Sequence, residues 1–172
     1  MSKPYLALGL LTLSAFGPAA NAVEVGRYDF QGAVGMCKGA LQSHRDALRA
    51  KPLGLNNIAA ADAFVTCNWQ GDATTNGRGA SQVFVLVSNT STAGRTISCT
   101  LVNGTQTGAT TTATYTPKSI GLSPGTNTFL AWVPSELPGA PAEITLPSVT
   151  CLLPPGTTLH YTGRNYSEDA GG

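Results

Sequence analysis

The fold that this sequence predicts is an all-β sandwich, immunoglobulin-like or jelly-roll-like, with two disulfides and one short N-terminal helix. Three observations predict it. Strand-length runs recur roughly every 8 to 15 residues with turn residues between them, the spacing of a sandwich or barrel. Four cysteines, Cys37, Cys67, Cys99 and Cys151, follow an N-terminal segment built like an export signal, which implies an oxidising compartment and a disulfide framework. Charged residues are only 11% of the chain, so Thr, Ser, Asn, Gln and Gly must supply the polar surface, and these suit exposed strand faces and turns.

The elements follow in order. Lys3 gives a positive start, Leu6 to Phe16 an apolar run ended by Gly17-Pro18, and Ala20-Asn21-Ala22 a small-x-small cleavage site. Cleavage is expected after Ala22. The apolar run is shorter than the roughly 20 residues that a spanning helix needs, and no later segment is a better candidate. The expected location is periplasmic or extracellular, with no membrane span. No cysteine follows the cleavage site, so a bacterial lipid anchor is not expected. Residues 1–22 are thus read as signal, 23–167 as one sandwich and 168–172 as a frayed end. About 150 residues after the signal can bury a core of their own, which makes the disulfides reinforcement.

Residues 23–34, with Val23, Val25, Tyr28 and Phe30, read as an extended or edge segment. Leu41, His44 and Leu48 sit at i, i+3 and i+7, favouring one short helix over 37–50 that Pro52 would stop. A short strand ends at Asn56-Asn57. Ala63, Val65, Cys67 and Trp69 share one face of the next strand, and Asn76-Gly77 marks a turn. Residues 82–89 are apolar on both faces, as in a central covered strand. Ile97, Cys99 and Leu101 point inward from 95–102, and Asn103-Gly104 turns the chain. A Thr-rich strand covers 109–115. Ser123-Pro124-Gly125 turns into 128–133, prolines break up 134–147, and 149–153 with 158–161 reads as a closing hairpin.

Cys67, Cys99 and Cys151 share strand faces with apolar neighbours and point into the core. Four cysteines allow three pairings. Cys99–Cys151 with Cys37–Cys67 is the favoured one, and the other two stay open. The shortest gap is about thirty residues, unlike the close pairs of a metal site.

Little in the chain converges on catalysis. Gly121-Leu122-Ser123-Pro124-Gly125 has the letters of a nucleophile elbow. Pro124 lacks the N–H that would complete an oxyanion hole, so a plain turn is the reading. His44 and His160 are the only histidines, too far apart in sequence to suggest a metal pair. Asp72-Ala73-Thr74-Thr75-Asn76-Gly77 has the rhythm of a calcium loop, but Val83 stands where its twelfth ligand should be acidic. No catalytic, metal or cofactor residue is assigned. Ten Lys plus Arg against nine Asp plus Glu, without a basic stripe, exclude an ordinary nucleic-acid binder.

Aromatic residues remain. Trp132 lies opposite Phe129 on its strand, so one of the two faces the core. The core phase is favoured for Trp132 because aromatics supply much of core burial. In the other phase, Trp132 with Tyr115, Tyr161 and Tyr166 would form a surface for a sugar ring or a partner.

The short signal, the absence of a lipid-anchor cysteine and the Cys151-Leu152-Leu153-Pro154-Pro155-Gly156-Thr157 stretch resemble small exported proteins of Gram-negative bacteria. That resemblance implies no activity and no site residues. The expected function is a non-enzymatic envelope or secreted protein that binds or builds something, with carbohydrate or another envelope protein as its partner. One alternative is a surface-fibre subunit using Val23 and Val25 in a donor strand. The other is a small hydrolase with a spatially assembled site.

Overall fold

A computed structural model of the chain describes residues 23–69, 79–107 and 110–169. Residues 1–22, read above as an export signal, the expected Asn76-Gly77 turn, the calcium-like run at Asp72 and residues 170–172 lie outside the described residues. The order is β1 (Glu24–Gly32), α1 (Ala33–Met36), β2 (Cys37–Gly39), α2 (Gln42–Ala47), β3 (Leu48–Lys51), β4 (Gly54–Asn57) and β5 (Ala63–Asn68). Then come β6 (Ala80–Asn89), β7 (Arg95–Asn103), β8 (Gln106–Thr107), β9 (Thr110–Thr111), β10 (Thr114–Leu122), β11 (Asn127–Trp132), β12 (Pro147–Leu153) and β13 (Thr157–Asp169).

Sheet A runs β11-β6-β13-β4-β3, with β1 also paired to β13, and sheet B runs β10-β7-β12-β5-β2. The pairs β4–β13, β5–β12, β6–β11 and β7–β10 are nested and antiparallel. This is one long hairpin rolled up so that β6–β13 and β7–β12 also pair. Of the two sandwich types expected, this is the jelly-roll order.

Inward alternation builds the core. Val65 and Cys67 from β5, Val83, Val85 and Val87 from β6, Ile97, Cys99 and Leu101 from β7, and Leu130 and Trp132 from β11 are all buried. Two disulfides lie within this layer, Cys37–Cys67 and Cys99–Cys151. Both join residues directly opposite in register, with Cα atoms 4.1 and 4.0 Å apart. They therefore tie neighbouring strands of sheet B, β2 to β5 and β7 to β12.

Two buried asparagines hold the crossovers. Asn57 Nδ2 donates to Ala61 O and Leu153 O, and its Oδ1 accepts from Ala59 N–H. Asn89 repeats the pattern with Ala93 O, Leu122 O and Ser91 N–H. Each sits where a strand of sheet A leaves for sheet B, and each bonds the end of a returning strand. A buried amide with its bonds made specifies such a corner, and with them unmade it would be costly.

Several expectations are corrected. Residues 37–50 are not one helix but β2, α2 and β3. Cys37 is drawn into register with Cys67, and α2 has no buried residue to hold a longer helix. The 109–115 strand divides between β9 and β10. Most of β10 lies beyond it, through Pro117, which an edge strand tolerates. The closing segments are not a hairpin, because β7 and β5 already occupy both edges of β12, so the chain crosses to sheet A at Pro154. Glu168 is not frayed: β13 continues to Asp169 and pairs with β1 down to Glu24. β1 thereby completes the sheet of its own chain, the place where a donor strand would act between chains. No helix among the described residues is long and apolar enough to cross a membrane.

Lys118 of β10 clips the open edge of the sandwich. Its Nζ donates to Ala131 O of β11 and to Glu136 Oε1, both at 2.6 Å, and lies 5.9 Å from the Trp132 ring centroid. The Lys118 hydrogen bond, then the Val133 N–H, hold the Glu136 carboxyl below the usual carboxylate range. A depressed folded pKa stabilises the fold above the unfolded value, and that contribution is lost as pH falls through the folded one. Urea unfolding across acid pH should show a shallower loss of stability in Glu136→Gln than in wild type. The Glu136 side chain is 40% exposed, so the difference should not exceed about 1 kcal/mol.

Candidate functional site: the outer face of sheet A

The inward valines of β6 turn Phe84 to the other side of the sheet, and inward Leu130 and Trp132 do the same for Phe129 of β11. Register then assembles the outer face. Phe30, Gly163, Phe84 and Ala131 form one row across four strands. Tyr28, Asn165 and Gln82 form the row on one side of it, and Tyr161, Leu86 and Phe129 the row on the other. Phe84 lies at the centre, its ring centroid 5.1 Å from Phe30 and 5.5 Å from Phe129 in an edge-on contact.

Gly163 makes the cluster fit. A Cβ there would overlap the Phe84 ring and crowd Asp29 O. Phe84 is covered to 6% exposure, while Tyr28, Phe30 and Phe129 remain 73%, 58% and 53% exposed. These side chains line a groove of about 300 Å³ with Gln82, Ala131 and Asn165. Asn165 Nδ2 donates to Gln82 Oε1 at 2.9 Å, and Asn165 Oδ1 has no hydrogen-bond partner. The arrangement offers aromatic faces and amide groups. It can stack and hydrogen-bond, and its lining holds no histidine, carboxylate, serine, cysteine or lysine.

The residues singled out from sequence do not share this surface. Trp132 is fully buried, with Nε1 donating to Thr116 O at 2.9 Å. The core phase holds, and Trp132 is removed from any ligand surface. Tyr115 is exposed on the outer face of sheet B, opposite Val102. Tyr166 takes the opposite phase of β13 beneath the Arg164 guanidinium, 4.8 Å from its ring. Tyr161 alone lies on the aromatic face, beside the ring of His160. Phe30, Phe84, Phe129 and Tyr28 were missed. Their shared signal was that each stands in the phase its own strand does not give to the core.

The two histidines make separate sets of contacts. His160 Nδ1 bonds Leu53 O, and Nε2 lies 2.7 Å from Ser88 Oγ. With Nδ1 protonated towards the carbonyl, Nε2 accepts from the Ser88 hydroxyl. The pair pins the β3–β4 turn onto β6. His44 packs on Phe64, ring centroids 5.6 Å apart, and its Nδ1 is buried without a hydrogen-bond partner. Neither histidine has a carboxylate partner among the described residues. Ser123 sits in a tight turn, its carbonyl accepting from Thr126 Oγ1, as expected of a plain turn.

No protein-family model matches the chain, and no curated protein matches it. Among solved structures it is similar to the family 11 carbohydrate-binding module from Clostridium thermocellum, in complex with a β-1,3-1,4-mixed-linked tetrasaccharide. That match has 8% identity and a TM-score of 0.39, and covers 90% of this chain and 92% of the other. A second similar structure is TmCBM61 in complex with β-1,4-galactotriose, at 8% identity and a TM-score of 0.32, covering 83% and 88%. The tetrasaccharide and the galactotriose are ligands of those two proteins. For this chain, the nested pairing establishes an all-β sandwich of jelly-roll order, closed by two disulfides.

Proposed function

We propose that this chain is an exported, non-enzymatic β-sandwich that binds a carbohydrate chain on the outer face of sheet A. One observation carries the reading: Phe30, Phe84 and Phe129 gather on a single solvent-facing side while aliphatic residues and Trp132 fill the core. Exposed apolar patches of this kind mark interaction surfaces, and an apolar groove with a few amides suits a ligand with both apolar faces and hydroxyls. Two disulfides fit an oxidising compartment, in keeping with the signal segment. The hydrolase alternative is disfavoured because the hydroxyl that meets His160, that of Ser88, is buried, and neither histidine has a carboxylate partner among the described residues to orient it.

A glycan array probed with wild type and with Phe129→Ala tests the reading. Binding is expected in wild type and a loss of roughly tenfold or more in the variant, the scale of removing an aromatic anchor. Phe129 is more than half exposed, so folding should survive its loss. A blank array, or binding unchanged in both Phe129→Ala and Phe30→Ala, would overturn the proposal.

A further inference from the structure

Charge on the same face narrows the ligand. Leu48 and Ala50 of β3 stand in the phase of buried Asn57 and Leu55 and line a recess with Leu55, which leaves Arg49 and Lys51 in the outer phase. Arg49, Asn56, Thr158 and Ser88 form one row, adjoining the row of Tyr161, Leu86 and Phe129. Arg49 and Lys51 are exposed, and neither side chain has a hydrogen-bond or ion-pair partner among the described residues.

The nearby carboxylates do not offset them. Asp29 and Glu168 take the opposite phase, and each meets an arginine, Arg164 and Arg27 respectively. Asp46 accepts the Gln42 amide. Glu24, at the distant end of β1, is already engaged. The face therefore runs from aromatic at β11 to cationic at β3, across four strand spacings or roughly 19 Å. Its cationic end is two spacings, roughly 10 Å, from β13 and Tyr161.

We infer that this face takes a carboxylate-bearing polysaccharide, a polyuronate, laid across the strands. The inference rests on the carbohydrate reading above. Sugar faces lie on Phe129 and Tyr161, and carboxylates reach Arg49, whose guanidinium can hold one with two parallel hydrogen bonds, and Lys51. Two cations beside an apolar groove suit a chain of modest charge density. A duplex would require many more phosphate contacts.

Titration calorimetry of the intact protein tests it with four probes: an oligogalacturonate, its methyl ester, a neutral cello-oligosaccharide and an oligothymidylate. The oligogalacturonate should bind at least about tenfold more tightly than its ester, the scale of a charge-assisted hydrogen bond. That advantage should shrink with added salt and vanish in the double variant Arg49→Gln, Lys51→Gln, which should keep the residual binding seen with the ester. Equal binding of acid and ester, with the double variant unchanged, sinks this inference and leaves the carbohydrate reading standing. Binding of every sugar unaffected by both Phe129→Ala and Phe30→Ala sinks both. Equal binding of oligothymidylate would also overturn the inference, because the face would then be an unselective polyanion patch.

Discussion

Trp132→Ala is expected to lower the unfolding free energy by about 3–5 kcal/mol, the range for truncating a large buried aromatic. The ring is wholly inaccessible, at 0% exposure. It packs where β11 of sheet A meets the edge of sheet B formed by β10, and that position lets Nε1 donate to Thr116 O across the gap. Truncation removes apolar contact, leaves a cavity under the Lys118 clip, and strips Thr116 O of its donor. Trp132→Phe should cost less, about 1–3 kcal/mol, because most of the volume stays and only the donor goes. Urea unfolding followed by circular dichroism separates the two variants. A cost below about 1 kcal/mol for the alanine variant would show that the ring does not bear on the core.

Removing the disulfides is the second large effect. Cys99–Cys151 spans 52 residues of sequence and Cys37–Cys67 spans 30. On the chain-entropy account each is worth roughly 4 kcal/mol, because the logarithmic dependence makes the longer loop only slightly more valuable. The double variant Cys99→Ala, Cys151→Ala should lose that much and also disturb the core, since β7 and β12 both lie inside sheet B. Cys37→Ala, Cys67→Ala should lose a similar amount while freeing β2, a three-residue edge strand. Together the two bonds approach the whole stability of a typical domain, so full reduction should leave the chain largely unfolded at 25 °C. Denaturant curves with and without reductant measure this. A peptide map of the unreduced protein should yield only the 37–67 and 99–151 pairs.

These variants separate stability from binding. Trp132 and Phe129 stand three residues apart on one strand and face opposite ways. Loss of the first should weaken the fold, whereas loss of the second should weaken the proposed carbohydrate binding. The alternation of β11 was visible in the sequence, but its phase was not, because Thr128, Leu130 and Trp132 compete with Phe129 for the core. The outcome follows from β6, whose three valines already turn inward and whose register places Phe129 beside Leu86 on the outer side.

Other local patterns were legible because short-range physics decides them. Inward Ile97, Cys99 and Leu101, the turns at Ser123-Pro124-Gly125 and Asn103-Gly104, and the extended first segment all follow from alternation or turn chemistry. The stretch 37–50 was misread because its weak helical spacing competed with a disulfide partner thirty residues away. The closing segments were misread because adjacency in sequence suggests a hairpin, while both edges of β12 were already taken. Residues 82–89 read as a strand covered on both sides, whereas the outer side of β6 faces solvent; Phe84 there is shielded by Phe30 and Phe129, from strands more than forty residues away on either side.

By itself, the sequence determined the class of fold, the inward faces of its clearest strands, the favoured disulfide pairing and the expectation of export, since periodicity, turn residues and cysteine count are local or compositional. Only the tertiary structure decided the jelly-roll order, the buried place of Trp132 and the aromatic and cationic face that now carries the functional proposal. The physical reason is register. Strands distant in the chain contribute one or two outward residues each, and no stretch of sequence holds enough of them to announce the surface.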